Sequence, residues 1–290
     1  MASLKRFAST PFGEIAYSES GSGPAALFVH GIFHNGHLWR HVIPGLSDIR
    51  RCIAVDLMGH GDTRTAPDQD LSFNGQADML EAFCTALQLD QVDVISNDSA
   101  TGIATIFAAR HPERIRSLVL TNGDVHDNWP PASFERTRKA AAQGSLVPAM
   151  RQMLTDAEFA RASFAIGYQH PERISHEDLR ASIAPLLSSE QRTGEFLRFM
   201  HAMDSSQTIV IEPQLKKLKA PTLVVWGTAD EFFDVKWAYW LKDTIPGCSR
   251  VVELEGAKLF FPEERSDELI DAIRDHWHAL AAPARSARSA

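Results

Sequence analysis

The segment Val92-Asp93-Val94-Ile95-Ser96-Asn97-Asp98-Ser99-Ala100 holds the residues best placed for chemistry. An apolar run ends in a small side chain, a possible nucleophile follows, and small residues return. A nucleophile turn needs that order: a strand, a sharp strained turn, a helix, and small side chains two residues to either side. Centred on Asp98, the flanks are Ser96 and Ala100; centred on Ser99, they are Asn97 and Thr101, both bulky for so crowded a turn. Asp98 is therefore the expected nucleophile. Serine suits acyl transfer, whereas a carboxylate suits displacement at carbon. The competing reading is that Asp98 merely caps a helix starting near Ala100. A second segment, Leu27-Phe28-Val29-His30-Gly31-Ile32, ends an apolar strand in a His-Gly turn. Such a turn supplies one backbone N–H to an oxyanion hole, with Ser99 supplying the other, so Gly31, Ile32 and Ser99 are expected at the site.

A Gly-rich turn, Asp56-Leu57-Met58-Gly59-His60-Gly61-Asp62-Thr63, follows the next strand, and His111-Pro112-Glu113-Arg114 connects the helix after Asp98 to another. In this order and spacing the motifs resemble the α/β-hydrolase superfamily over nearly the whole chain. With aspartate at the nucleophile position, the chain looks like the branch of epoxide hydrolases and haloalkane and fluoroacetate dehalogenases. The resemblance implies a carboxylate that attacks a saturated carbon and an alkyl-enzyme ester cut by a histidine-activated water. It also implies an acid just after a late strand. Trp226-Gly227-Thr228-Ala229-Asp230 offers Asp230, whose plain alternative is a turn aspartate. A base histidine should then follow a small-residue turn near the C-terminus. In Glu255-Gly256-Ala257-Lys258-Leu259-Phe260-Phe261-Pro262 that position holds Leu259.

An imidazole from another loop could take its place, since loops at the carboxyl ends of parallel strands border the site in this architecture. His34 and His37 follow the His30-Gly31 turn, and His126 lies in Asn122-Gly123-Asp124-Val125-His126-Asp127, with Asp124 and Asp127 as orienting neighbours. His34 or His126 is the expected contact with the Asp98 pocket; His37 ranks behind them because it starts a helical turn with Leu38 and Trp39. Lys258 is a candidate for orienting a leaving group, with snorkelling to solvent as its alternative. His276 and His278 belong to a final amphipathic helix and are expected on its surface. Dehalogenases of this type hold the halide with tryptophan or arginine directly after the nucleophile, and Ser99 is neither. Trp39 and Trp129 are candidate pocket walls, with core packing as the ordinary alternative. No metal site is expected, because the His34/His37 pair lacks a nearby carboxylate or cysteine, and no cofactor is implied.

These residues need a scaffold. Runs rich in β-branched and apolar residues at Ala25–Val29, Cys52–Val55, Val92–Ile95, Leu118–Leu120, Thr222–Trp226 and Val251–Leu254 read as buried strands. Helical patterns at Gly75–Leu87, Ile103–Ala109 and Val235–Lys242 alternate with them, which predicts an α/β class and a mainly parallel, doubly wound sheet in the α/β-hydrolase arrangement. The alternation stops from about Pro130 to Pro213. Helical patterns at Glu135–Gln143, Val147–Phe159, His176–Leu187 and Glu190–Met203 predict a helical lid over residues 130–213. The core is then residues 1–129 and 214–280, and residues 281–290 are expected to be a disordered tail.

With 290 residues and 44% apolar composition, the chain can bury a sizeable core. A formal net charge of -8 argues against a nucleic-acid partner. Cys52, Cys84 and Cys248 form no metal or disulfide pattern, and no run approaches the roughly 18 apolar residues of a membrane span. A cytoplasmic protein with a small-molecule substrate is expected; the sequence leaves its oligomeric state open. The favoured activity is hydrolase-type displacement on a small, largely apolar substrate through Asp98, with an atypical base. The alternatives are a lyase or isomerase using Asp98 as acid or base without an ester, and a non-catalytic binding protein.

Overall fold

The computed structural model describes residues 5–281, so nearly all of the expected tail lies outside the described residues. In chain order the strands and first helices are β1 (Arg6–Thr10), β2 (Gly13–Ser20), β3 (Ala25–Val29), β4 (Arg51–Val55), β5 (Arg64–Thr65), α1 (Phe73–Ala86), β6 (Val92–Asp98), α2 (Ser99–Arg110) and β7 (Ile115–Gly123). Helices follow: α3 (Glu135–Ala142), α4 (Leu146–Met153), α5 (Ala157–Phe164), α6 (His176–Ile183), α7 (Glu190–His201), α8 (Ser206–Ile209) and α9 (Glu212–Leu215). The chain then re-enters the sheet with β8 (Thr222–Gly227), α10 (Lys236–Thr244), β9 (Cys248–Leu254), α11 (Phe261–Glu264) and α12 (Ser266–Ala281).

The sheet runs β1-β2-β4-β3-β6-β7-β8-β9, with β5 added beside β2. From β4 to β9 all pairs are parallel, while β1, β2 and β4 pair antiparallel. Every residue of β3, β6 and β8 is buried, as expected of parallel strands covered on both faces. Strand order reverses between β3 and β6: from β3 the chain winds outward to β4, then crosses to the other side. Such a switch opens a crevice at the carboxyl ends of the two strands. Gly31 and Ile32 follow β3, and Asp98 ends β6, so topology alone brings the two expected motifs together.

Among the described residues, the chain between β7 and β8 forms helices and no strand. The single helix expected over Val147–Phe159 is two, α4 and α5. Asp156 caps the second by accepting from the Phe159 N–H, a local bond that starts a new helix in place of continuing the old one. Cys52 and Cys84 are buried, Cys248 is half-buried, and all three are free. His276, expected on the surface of the last helix, is buried on its inner face, while His278 is exposed. Among the described residues no helix is long and apolar enough to cross a membrane.

Candidate active site

Asp98 closes β6 with φ 61° and ψ -134°, a left-handed backbone that strains a residue bearing a Cβ. Its side chain makes no capping hydrogen bond to α2, so it does not serve as the helix cap that the sequence also allowed. The neighbours that permit this turn are small. A Cβ on Gly31 would fall 2.3 Å from Asp98 Oδ2, so only glycine lets the loop after β3 lie against the carboxyl. A Cβ on Gly123 would fall 2.1 Å from the Asp98 carbonyl oxygen, which makes β7 equally dependent on glycine where it passes the turn. Burial pushes the Asp98 carboxyl up to about 8, and the nearby Asp230 adds to the rise; the backbone N–H groups of Ser99 and Ile32 pull the other way. Asp98 Oδ2 and Ser99 Oγ are buried without a hydrogen-bond partner. A site that holds a carboxyl under two backbone N–H groups can receive the oxyanion of an ester at that same carboxyl carbon.

Asp230 sits after β8, half-buried, and is held from two sides. Asn122 Nδ2 donates to its Oδ2 at 2.7 Å, while the Phe232 and Phe233 N–H groups donate to its Oδ1 at 2.8 and 3.3 Å. Burial nevertheless pushes Asp230 up to about 6. Asn122 thus stands as the donor where an imidazole was expected, and it also ties Gly227 through bonds of 3.0 and 2.6 Å. Leu259 is buried. Its carbonyl accepts from Asn97 Nδ2 at 3.0 Å, and the next residue, Phe260, donates its N–H to Gly167 O at 2.9 Å.

A cavity of about 710 Å³ opens over Asp98. Its walls are mainly apolar and come from both the sheet ends and the helical segment, with Ile32, Trp129, Phe164, Phe233, Leu259 and Phe260 among them. The charged side chains that reach it are Asp98, Asp124 and Arg136; among the described residues, no histidine lines it. Trp129 stacks on Phe73 with ring centroids 3.6 Å apart, and its indole N–H has no partner.

Several expected site residues lie elsewhere. The His126 ring faces away from the cavity, with Nε2 3.0 Å from Glu212 and the ring against Trp240, because two acceptors and an aromatic face wait on that side. His34 is buried one layer behind the wall, packed on Phe260 at 4.4 Å and Phe164 at 5.9 Å, and desolvation lowers it to about 4. His37 pairs with Asp178 at 2.6 Å. Trp39 is a core side chain edge-on to Phe28, not a pocket wall. Lys258 pairs with Glu231 at 2.6 Å and does not reach the cavity. Among the described residues no cluster of histidine, cysteine or acidic side chains could hold a metal ion.

Sequence reasoning treated Asp124 only as an orienting neighbour of His126. The structure buries it in the cavity wall, with Oδ1 unpartnered, and its N–H donates to the Asp98 carbonyl at 3.3 Å. Burial raises its pKa well above the usual carboxylate range, and Asp98 adds to that. Its place just beyond the end of a buried strand, like that of Asp98 and Asp230, was the available signal.

Comparison with known proteins agrees with this architecture. A family model described as the α/β-hydrolase fold matches residues 24–265. The chain is 27% identical over 275 residues to a haloalkane dehalogenase of Agrobacterium fabrum, covering 89% of this chain and 86% of that protein. A second haloalkane dehalogenase, from Mesorhizobium japonicum, is 40% identical over 107 residues, which span 37% of this chain and only 34% of that relative. A solved epoxide hydrolase superposes with a TM-score of 0.79 at 21% identity, covering 96% of this chain and 99% of that one, a likeness of fold.

Proposed function

The chain belongs to the α/β-hydrolase fold family, and from that premise we propose that it is a hydrolase that opens a small, largely apolar electrophile by displacement at carbon through Asp98. The observation that carries this reading is the Asp98 carboxyl itself: buried, on a strained turn, not capping its helix, and facing an apolar cavity. In this reading the Asp98 carboxylate forms an alkyl ester with the substrate carbon, and the Ile32 and Ser99 N–H groups hold the oxyanion when water later attacks Cγ. Asp230 fixes the turn that presents Phe232 and Phe233 to the substrate, and residues 130–213 act as the lid. A cytoplasmic location and no requirement for a cofactor belong to the same proposal.

The curated relatives named above are haloalkane dehalogenases, which supports an electrophilic carbon as the target. One observation favours a lyase or isomerase instead: among the described residues Leu259 lines the wall and no imidazole does. Intact mass and product analysis after incubation with a panel of epoxides and haloalkanes separates the two. An adduct or a hydrolysis product that is lost in Asp98→Asn is expected. Turnover that persists in Asp98→Asn removes the covalent reading.

A further inference from the structure

The cavity wall brings a second carboxyl to Asp98. Asp124 is buried, its Oδ1 has no partner, and it lines the same cavity as Asp98, whose own Oδ2 is also unpartnered. The two are fixed to one another through the backbone, since the Asp124 N–H donates to the Asp98 carbonyl and Gly123 pairs in register with Asp98. Two unsatisfied buried carboxyls in one apolar cavity are costly unless a ligand completes them.

We propose that Asp124 is the acid and then the base of a two-carboxyl cycle on strained cyclic ethers, that is, epoxides, with Asp98 as nucleophile. This deepens the Asp98 reading and rests on it. In the first step an Asp98 oxygen bonds to a ring carbon while the ring C–O bond breaks, and the departing oxygen takes the Asp124 proton. The products are a hydroxyalkyl ester of Asp98 and an Asp124 carboxylate. In the second step Asp124 takes a proton from water as its oxygen adds to Asp98 Cγ. The oxyanion rests on the Ile32 and Ser99 N–H groups, the alkyl oxygen leaves with the proton of the new hydroxyl, and a diol departs. Asp98 is again a carboxylate and Asp124 again an acid, so the sum is epoxide plus water to diol. Retaining glycosidases run the same logic, in which the group that gave its proton in one step becomes the base of the next. The two carboxyls suit it, because burial and their mutual proximity raise both above the usual carboxylate range, Asp98 to about 8, which favours one shared proton between them.

The cycle explains how a site without imidazole turns over, and it sets the substrate class. A halide leaves without a proton, so Asp124 keeps its own and has no capacity to activate water. An alkyl halide therefore alkylates Asp98 once and stops.

The test uses 1,2-epoxyhexane and 1-bromohexane on the whole protein, followed by intact mass and product assay. Wild type should release diol from the epoxide with no lasting adduct, and should hold one hexyl group per chain from the bromide. Asp124→Asn should lower epoxide turnover about 10²- to 10⁴-fold, the range of general acid–base assistance, yet keep bromide alkylation within a few-fold. A purely structural Asp124 would lower both together. If Asp124→Asn does not fold, the wild-type contrast between the two probes decides alone. A persistent epoxide adduct in wild type, or bromide turned over as readily as epoxide, overturns the Asp124 cycle and leaves the Asp98 ester standing. Reaction that survives in Asp98→Asn, or no reaction with either probe, overturns the Asp98 reading and this one with it.

Discussion

The turn at Asp98 and the turn at Leu259 both border the cavity, and their energetics have opposite signs. At Asp98 a non-glycine residue sits at positive φ, a strain of about 1–3 kcal/mol, and a carboxyl is buried with one oxygen unpartnered. At Leu259 a leucine is buried against other apolar walls, a gain of roughly 1.5–3 kcal/mol over leaving it exposed. The first turn lowers stability by holding a carboxyl at the cavity, and the second adds stability through apolar packing. A position that carries strain and a buried carboxyl is not explained by stability, and that places the chemistry at Asp98 and its carboxyl neighbours.

Asp98→Asn should show the largest change in that contrast. Adduct formation should vanish, with a loss on the order of 10⁴-fold or more in any turnover, as removal of a nucleophile gives elsewhere. Stability should move the other way, with a pH dependence of fixed sign. An Asp98 carboxyl raised from 3.8 to about 8 binds more protons folded than unfolded between those values, so wild type loses stability as pH rises through that window. Melting curves should show Asp98→Asn gaining on wild type from pH 4 to 8, and a parallel pair of curves would contradict the raised carboxyl.

Leu259→His tests the other turn. An imidazole there borders the Asp98 cavity, and the chain should begin to cleave the hexyl adduct that wild type retains, a gain of about 10²-fold or more in bromide turnover. Loss of the leucine should lower stability by about 1–3 kcal/mol. An adduct that stays intact in Leu259→His would mean that the cavity cannot bring water to Asp98 Cγ.

The pH profile of epoxide turnover is the next smaller effect. It should rise through about 8 as Asp98 ionises, then fall as Asp124 loses its proton. Asp230, pushed up to about 6 by burial, lies near Asp98, Lys258 acts on it from outside the cavity, and Arg136 is the basic group in the wall. A rising limb near the ordinary histidine range would instead point to an imidazole.

His126→Ala should change least: turnover within about twofold, with little change in stability, because its Glu212 pair is partly exposed and screened by solvent. A large loss of turnover there would restore a relocated base.

Much of this was legible in the sequence. Strands β3, β4, β6, β7 and β8 each carry a short apolar run, and such runs declare themselves because both faces of a parallel sheet are covered. The β1–β2 hairpin was not seen, since its polar, half-exposed residues carry no such run. Asp98 was legible because a crowded turn restricts residue size, and Gly31 and Ile32 because a His-Gly turn ends an apolar strand; the structure places Asp98 and Ile32 at the cavity and Gly31 against the Asp98 carboxyl. Side-chain direction is not displayed. Asp124 and His126 lie two residues apart, yet one points into the cavity and the other toward Glu212, and nothing in their types told which. Trp39 and Trp129 posed the same problem, resolved one as core and the other as wall.

Two of the bonds that hold the turn after β9 are the Asn97 donation to the Leu259 carbonyl and the Phe260 N–H donation to Gly167. Both use main-chain atoms of the turn. The hydrogen bonds at residue 259 thus do not depend on its side chain, which contributes to the loop through apolar packing alone. A substitution at 259 therefore changes the group that lines the cavity beside Asp98 while these main-chain ties remain available. The site is open to exchange of chemistry at constant architecture.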